Sequence, residues 1–125
     1  YLTTVPRQLG LTVHYERAAD LPPLEDSTAI HIYRVLQESL TNVARHSGTT
    51  EAWVRLDVDV HGQICLEVED HGVGIPVSDA RRGLGLVAMR ERASLVDGDL
   101  EFARPRVGGT LVRLTVPAPL PEATA

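Results

Sequence analysis

A chain of 125 residues, 43% hydrophobic and 23% charged, is long enough to bury roughly two-thirds of its unfolded surface in one core, which excludes wholesale disorder and any need for a disulfide or metal staple. A formal net charge of −5 argues against a nucleic-acid or anionic-membrane surface unless a strong local basic patch overcomes it. All twelve basic residues are arginine, so Schiff-base chemistry and a phosphate loop that needs a lysine are excluded. The single cysteine, Cys65, excludes an intrachain disulfide and a Cys-paired zinc site, and its place in an apolar strand predicts a buried, inert thiol. No apolar run approaches the roughly 18 residues of a membrane span, and no signal peptide is legible. The chain opens on Tyr1 rather than Met, which reads as a piece of a longer protein in a cytosolic setting.

Taken in chain order, Leu11–Tyr15 alternates weakly and predicts an edge strand. Leu21-Pro22-Pro23 stops it. Asp26 or Ser27 can cap a helix running to about residue 47, with Gly48 as its C-terminal breaker. Residues 51–60 alternate, with Ala52, Val54, Leu56, Val58 and Val60 on one side. His61-Gly62 predicts a tight turn into residues 63–70, where Ile64, Leu66 and Val68 face one way. Residues 72–83 form a glycine-flanked loop, and residues 85–96 read as a second helix. Asp97-Gly98 turns into a strand near residues 99–103. Gly108-Gly109 leads into a last strand, with Val112, Leu114 and Val116 alternating. Residues 118–125 carry Pro119 and Pro121 and read as a frayed tail or linker after a single domain at 1–117. Two helices segregated onto one face of a mixed, mostly antiparallel sheet give a two-layer α+β sandwich.

Three groups of residues carry chemistry. On a wheel of about 100° per residue, Glu38, Asn42, Arg45 and His46 share one stripe of the long helix, with Tyr33, Leu36, Leu40 and Val43 opposite it. The stripe reads either as a solvated face or as a surface for a magnesium nucleotide, where the neutral amide oxygen of Asn42 suits a hard cation and Arg45 can fork onto phosphate. The segment V-E-D-H-G-V-G-I-P holds D-x-G-x-G, with Asp70, Gly72 and Gly74. Asp70 continues the register of Ile64, Leu66 and Val68, so its carboxylate leaves the strand toward the core. Burial there is costly unless donors meet it. Those donors are a helix cap or backbone amides, or the amine of a ligand such as adenine, for which Gly72 and Gly74 would permit close approach of a flat base. Finally, R-G-L-G-L-V-A-M-R-E-R-A places Gly83 and Gly85 at a helix start, where free N–H groups favour an anion. Neither a Walker loop nor a Rossmann fingerprint is present.

E-S-L-T-N-V-A-R-H resembles an N box, D-H-G-V-G a first glycine box and G-L-G-L a second. In this order they resemble the Bergerat-type ATP-binding domain of histidine kinases, gyrase, heat-shock chaperone ATPases and mismatch-repair ATPases, over about residues 9–117. L-Q-E-S-L-T-N-V-A-R-H-S and G-L-G-L-V-A-M-R-E-R-A resemble, within that family, the sensor kinases of the nitrate/nitrite, degradation-control and cell-wall-stress group. The short connection from Ile75 to Arg82 is typical of that group's ATP lid.

By position, the resemblance implies that Asn42 holds magnesium, Arg45 touches phosphate and His46 borders the ribose or phosphates. Asp70 accepts from the adenine amino group, with Gly72 and Gly74 beside it. Gly83, Gly85 and Leu86 wrap the phosphates through backbone N–H groups, and Thr110 reaches adenine through water. Glu38 activates water in ATP-hydrolysing relatives. Where a histidine is the attacking group, its role lies between catalysis and orienting the metal shell. His71 departs from the commoner Asn of the motif. The implied activity is transfer of the γ-phosphate of Mg-ATP to a histidine on a separate dimerisation domain of the same cytoplasmic or membrane-anchored parent. From there it passes to a response regulator of LuxR type, with no direct contact to nucleic acid or membrane by this domain. None of His14, His31, His46, His61 or His71 has the context of the phosphoacceptor. An anti-sigma-factor serine kinase and a non-catalytic nucleotide-binding scaffold are the alternatives.

Overall fold

A computed structural model describes residues 10–73 and 86–117. Gly74, Gly83, Gly85, the connection from Ile75 to Arg82 and the tail at 118–125 lie outside the described residues. The elements are β1 (Thr12–Arg17), α1 (Asp26–His46), β2 (Glu51–Val58), β3 (Ile64–Asp70), α2 (Leu86–Leu95), β4 (Asp99–Ala103) and β5 (Thr110–Val116). The strands form one sheet in the order β1-β2-β3-β5-β4. β1 runs parallel to β2, and every other pairing is antiparallel. Parallel neighbours need a crossover, and α1 supplies it.

Alternation along β3 and β5 sets the core. Ile64, Leu66, Val68 and Asp70 turn inward from β3, and Thr110, Val112, Leu114 and Val116 from β5. Their register pairs Val68 with Val112 and Asp70 with Thr110. Val35, Leu40 and Val43 of α1 and Leu86, Met89 and Ala93 of α2 join the same apolar cluster, so both helices cover one face. Arg90 fastens α2 to β4: its guanidinium donates to the Leu100 carbonyl at 3.2 Å and lies 5.2 Å from the Phe102 ring centroid. No described helix is long and apolar enough to cross a membrane.

Four expectations are corrected. Tyr33 does not face the sheet; it is 51% exposed, and Ile32, one residue earlier, is buried in its place. The inward stripe of α1 also holds Ser39 and Asn42. Two polar residues on the buried side displace the apparent apolar face by about one residue, or 100°. At the start of α1, neither Asp26 nor Ser27 is the cap. The N-cap is Glu25, without a side-chain cap bond, and Asp26 stands in the first turn, where a carboxylate favours the helix dipole. β2 stops at Val58 and Val60 is 94% exposed, because the turn begins at Asp59. Its carboxylate accepts the N–H groups of His61 at 2.8 Å and Gln63 at 2.9 Å, a side-chain mimic of a backbone turn. Cys65 lies on the polar face of the sheet, half-buried rather than in the core, and partial burial pushes its thiol up.

That polar face is laced by charge. Glu67 accepts from Arg55 at 2.9 Å and from Arg113 at 2.6 Å, while Glu69 accepts from Arg55 at 2.8 Å. Partial burial would raise the Glu67 carboxyl, but the bonds and charges of Arg55 and Arg113 outweigh it and hold the group below its usual 4.5. A lowered carboxyl pKa contributes stability that is full above the unfolded value and lost as pH falls through the folded one. Glu67→Gln therefore lowers stability by at most about 1 kcal/mol at neutral pH and low salt. The difference should shrink below pH 4.5 and in about 1 M salt. Urea midpoints across pH and salt check it.

Candidate functional site

The C-terminal half of α1 and the matched ends of β3 and β5 border a small, partly open concavity. Val43, Val68 and Val112 give it an apolar lining; Ser39, Asn42, His46, Asp70 and Thr110 supply polar groups. The arrangement follows from two periodicities. Ser39, Asn42, Val43 and His46 are spaced three and four apart and fall on neighbouring positions of one helix face. Asp70 and Thr110 are opposed across the ladder and point to the same side.

Asp70 is the chemical centre of this pocket. It is 4% exposed. Burial pushes its carboxyl above the usual 3.8, while backbone N–H groups of Gly72 and Thr110 pull the other way without cancelling the effect. The Gly72 N–H donates to its Oδ1 at 2.8 Å. No ion pair from an arginine reaches it among the described residues. A buried carboxylate that has backbone donors and still lines an open concavity has lone pairs left for a donor arriving from outside.

Two glycines let the chain close tightly around it. A Cβ on Gly72 would lie 2.1 Å from the Ser47 carbonyl oxygen. Gly72 thus permits a close approach to protein backbone at the end of α1. The Val73 N–H donates to that same Ser47 oxygen at 2.8 Å, satisfying a carbonyl that the helix terminus leaves open. On the other side, a Cβ on Gly109 would lie 2.0 Å from the Asp70 carbonyl oxygen, and Gly109 has φ +94°. Ser47 is itself anchored, its hydroxyl donating to the Val43 carbonyl at 2.6 Å.

The expected polar stripe of α1 divides. Asn42 is buried and His46 borders the pocket, whereas Glu38 and Arg45 do not line it. Glu38 is half-buried and Arg45 exposed. Thr110 is buried in the pocket wall, and Leu86 is buried at the first position of α2. Gly74, Gly83 and Gly85 lie outside the described residues.

Sequence reasoning passed over Ser39, Ser47 and Gly109. Ser39 is 1% exposed and donates to the Val35 carbonyl at 2.8 Å. Its signal was a small polar residue three positions before Asn42 on the apolar side. Among the described residues, no group of three or more His, Cys, Asp or Glu side chains is arranged to hold a metal.

Residues 27–120 match the histidine kinase-, DNA gyrase B-, and HSP90-like ATPase family. Among curated proteins, the chain is 35% identical over 107 residues to the nitrate/nitrite sensor protein NarX of Escherichia coli, covering 83% of this chain and 17% of NarX. It is 32% identical over 119 residues to the oxygen sensor histidine kinase NreB of Staphylococcus carnosus, covering 94% of this chain and 34% of NreB. The chain thus spans about a third or less of the length of these relatives. Among solved structures, the histidine kinase domain of the blue-light activated histidine kinase EL346 of Erythrobacter litoralis superposes with a TM-score of 0.70. That match has 26% identity over 87% of this chain and 52% of that one.

Proposed function

This chain belongs to the histidine kinase-, DNA gyrase B-, and HSP90-like ATPase family, and we propose that it is the ATP-binding catalytic domain of a two-component sensor kinase, donating the γ-phosphate to a histidine of its parent's dimerisation domain. The observation that carries this reading is the buried Asp70 carboxylate at the mouth of β3, opposite Thr110 and across the pocket from Asn42. An adenine exocyclic amine is a neutral donor that meets such a carboxylate without leaving a second charge buried. Thr110 adds a hydroxyl for a bridging water.

At the other end of the pocket, Asn42 and His46 face the phosphate end, and Arg45, exposed on the following turn, reaches a phosphate from outside. The chemistry left to the protein is placement and neutralisation of charge. The attacking imidazole nitrogen forms the new N–P bond, the bond to the β-phosphate oxygen breaks, and ADP leaves with that electron pair.

The donor set fits a magnesium ion that arrives with its nucleotide. Asn42 offers one neutral oxygen, and there is no acidic cluster among the described residues that would hold the ion alone. When bound, the ion draws charge off the phosphates. Asn42 would hold it, and Glu38, away from the pocket lining, would order its surrounding water. Gly74, Gly83, Gly85 and Leu86 complete the nucleotide cradle through their backbones, by analogy with the glycine boxes. The domain at 1–117 works in the cytoplasm, where ATP and the response regulator are, and the regulator is of the LuxR-type DNA-binding class. The kinase role is supported by the names of the relatives; the residue roles, the cytoplasmic setting and the regulator class rest on the motif resemblance.

Asn42→Ala should weaken ATP binding about tenfold with magnesium and change it little in excess EDTA. Isothermal titration under both conditions checks this; equal losses would remove Asn42 from the metal. The reaction itself is tested by mixing this domain with the parent's dimerisation module and labelled ATP. An acid-labile phosphohistidine supports the kinase. Phosphoserine would point to the anti-sigma-factor type, and absence of transfer to a scaffold.

A further inference from the structure

The outer face of the sheet carries an aromatic stack directly behind the pocket. The His14 ring of β1 and the Trp53 ring of β2 have centroids 5.3 Å apart with planes at 20°. Trp53 and His71, the residue after β3, have centroids 4.3 Å apart with planes at 28°. Both imidazoles are pinned at their far nitrogens, His14 Nε2 to Glu51 at 2.6 Å and His71 Nε2 to Glu69 at 2.8 Å. Glu69 in turn accepts from Arg55 at 2.8 Å.

His71 is also the link between the Asp70 carboxylate and the Gly72 N–H that bonds to it. On the inner side, the turn is held by the Val73 N–H on the Ser47 carbonyl. Gly109 packs against the His71 Cα closely enough that a Cβ there would lie 2.8 Å from it. On the outer side, the only side chain of residues 71 and 72 is an imidazole held at two points, by a ring face and by a carboxylate. Nothing in core packing requires this, because the stack faces away from the helices.

We propose that His71 and Trp53 are positioning residues for nucleotide binding: their stack fixes the turn at 71–73, so that the Asp70 carboxylate and the Gly72 N–H are in place before adenine arrives. This rests on the assignment of Asp70 to the adenine amine. A turn at a strand end that is free to sample other conformations charges that freedom against binding, and fixing it beforehand removes the cost. Stacked aromatic pairs contribute beyond the area they bury. Trp53 is the chain's only tryptophan, so its fluorescence reads the stack directly.

The test is titration with a non-hydrolysable ATP analogue and magnesium, by calorimetry for every variant and by Trp53 emission for those that keep the tryptophan. Wild type is compared with His71→Ala, His71→Phe, Trp53→Phe and Asp70→Asn. His71→Ala should weaken binding about threefold to tenfold, with an altered emission spectrum and a thermal midpoint lowered by only a few degrees. His71→Phe and Trp53→Phe keep a ring in the stack and should bind within about twofold of wild type. If His71→Ala alters the emission but binds like wild type while Asp70→Asn does not bind, the brace is wrong and the adenine site stands. If Asp70→Asn binds like wild type, the adenine assignment fails and takes the brace with it.

Discussion

Asp70→Asn should abolish adenine-nucleotide binding and, in the same protein, raise the thermal midpoint of the nucleotide-free domain. The two effects have one cause. Asp70 is 4% exposed, and burial raises its carboxyl above the usual 3.8 against the pull of the Gly72 and Thr110 amides. A carboxylate whose folded pKa is raised binds its proton more tightly in the folded state. Stability therefore falls as pH climbs from the unfolded value through the folded one, and the full cost is present above the folded value. An amide of the same shape carries no charge to desolvate, and its oxygen still accepts from Gly72. A gain of about 1 kcal/mol, or roughly 3–5 °C, is expected. It should vanish at a pH well below 3.8, where both variants are neutral. The same amide presents an N–H₂ group toward the pocket, so an incoming amine meets a donor where it needs an acceptor. Calorimetric melting at several pH values, beside nucleotide titration, reads both consequences. A variant that is less stable at neutral pH would contradict the account of Asp70 as a strained, functional charge.

Gly109→Ala is the second large effect, and it acts on the same place through the backbone. Gly109 has φ +94°, and a Cβ would fall 2.0 Å from the Asp70 oxygen, 2.7 Å from its carbon and 2.8 Å from the His71 Cα. All three are main-chain atoms at the end of a central strand, without the freedom of a flexible side-chain tip. Backbone strain and overpacking together should cost about 3 kcal/mol or more. The relaxed structure would part β3 from β5 where Asp70 faces Thr110, so nucleotide affinity falls as well. Gly62→Ala separates conformation from crowding. Gly62 has φ +78° with nothing within 4 Å of a Cβ, so it should cost only about 1 kcal/mol and leave binding untouched. Denaturant unfolding of the two variants, with nucleotide titration of each, checks the pair. Equal costs would mean that the approach of Gly109 to Asp70 has no energetic weight.

The inward direction of Asp70 was legible because β3 is a clean two-residue alternation, and one apolar register carries through Ile64, Leu66 and Val68 to the carboxylate. The same logic made β5 and the first hairpin readable. The phase of α1 was not. Ile30, Ile32, Tyr33, Val35 and Leu36 offer apolar groups over more than half of the wheel, and the polar Ser39 and Asn42 sit on the buried side because a pocket is there. A site therefore disguises the helix that builds it. The parallel pairing of β1 with β2 was equally hidden, since partner and direction are set by the crossover rather than by residues within the strand. Gly72 was readable as permission for close approach, and Gly109 only as a turn into β5. What approaches them, the Ser47 carbonyl and the Asp70 backbone, depends on contacts between residues 25 and 39 positions apart. The outer stack of His14, Trp53 and His71 joins β1, β2 and the residue after β3, and had no local signature at all.

The central claim is that the carboxylate at position 70 is an acceptor for an adenine amine, and a paired titration of wild type and Asp70→Asn with ATP and GTP, each with magnesium, tests it most directly. Guanine carries a carbonyl where adenine has its amino group. Wild type should give saturable heat with ATP and none with GTP at the same concentrations, and Asp70→Asn should give none with ATP. Equal binding of ATP and GTP to wild type, or undiminished binding of ATP to Asp70→Asn, would contradict the account.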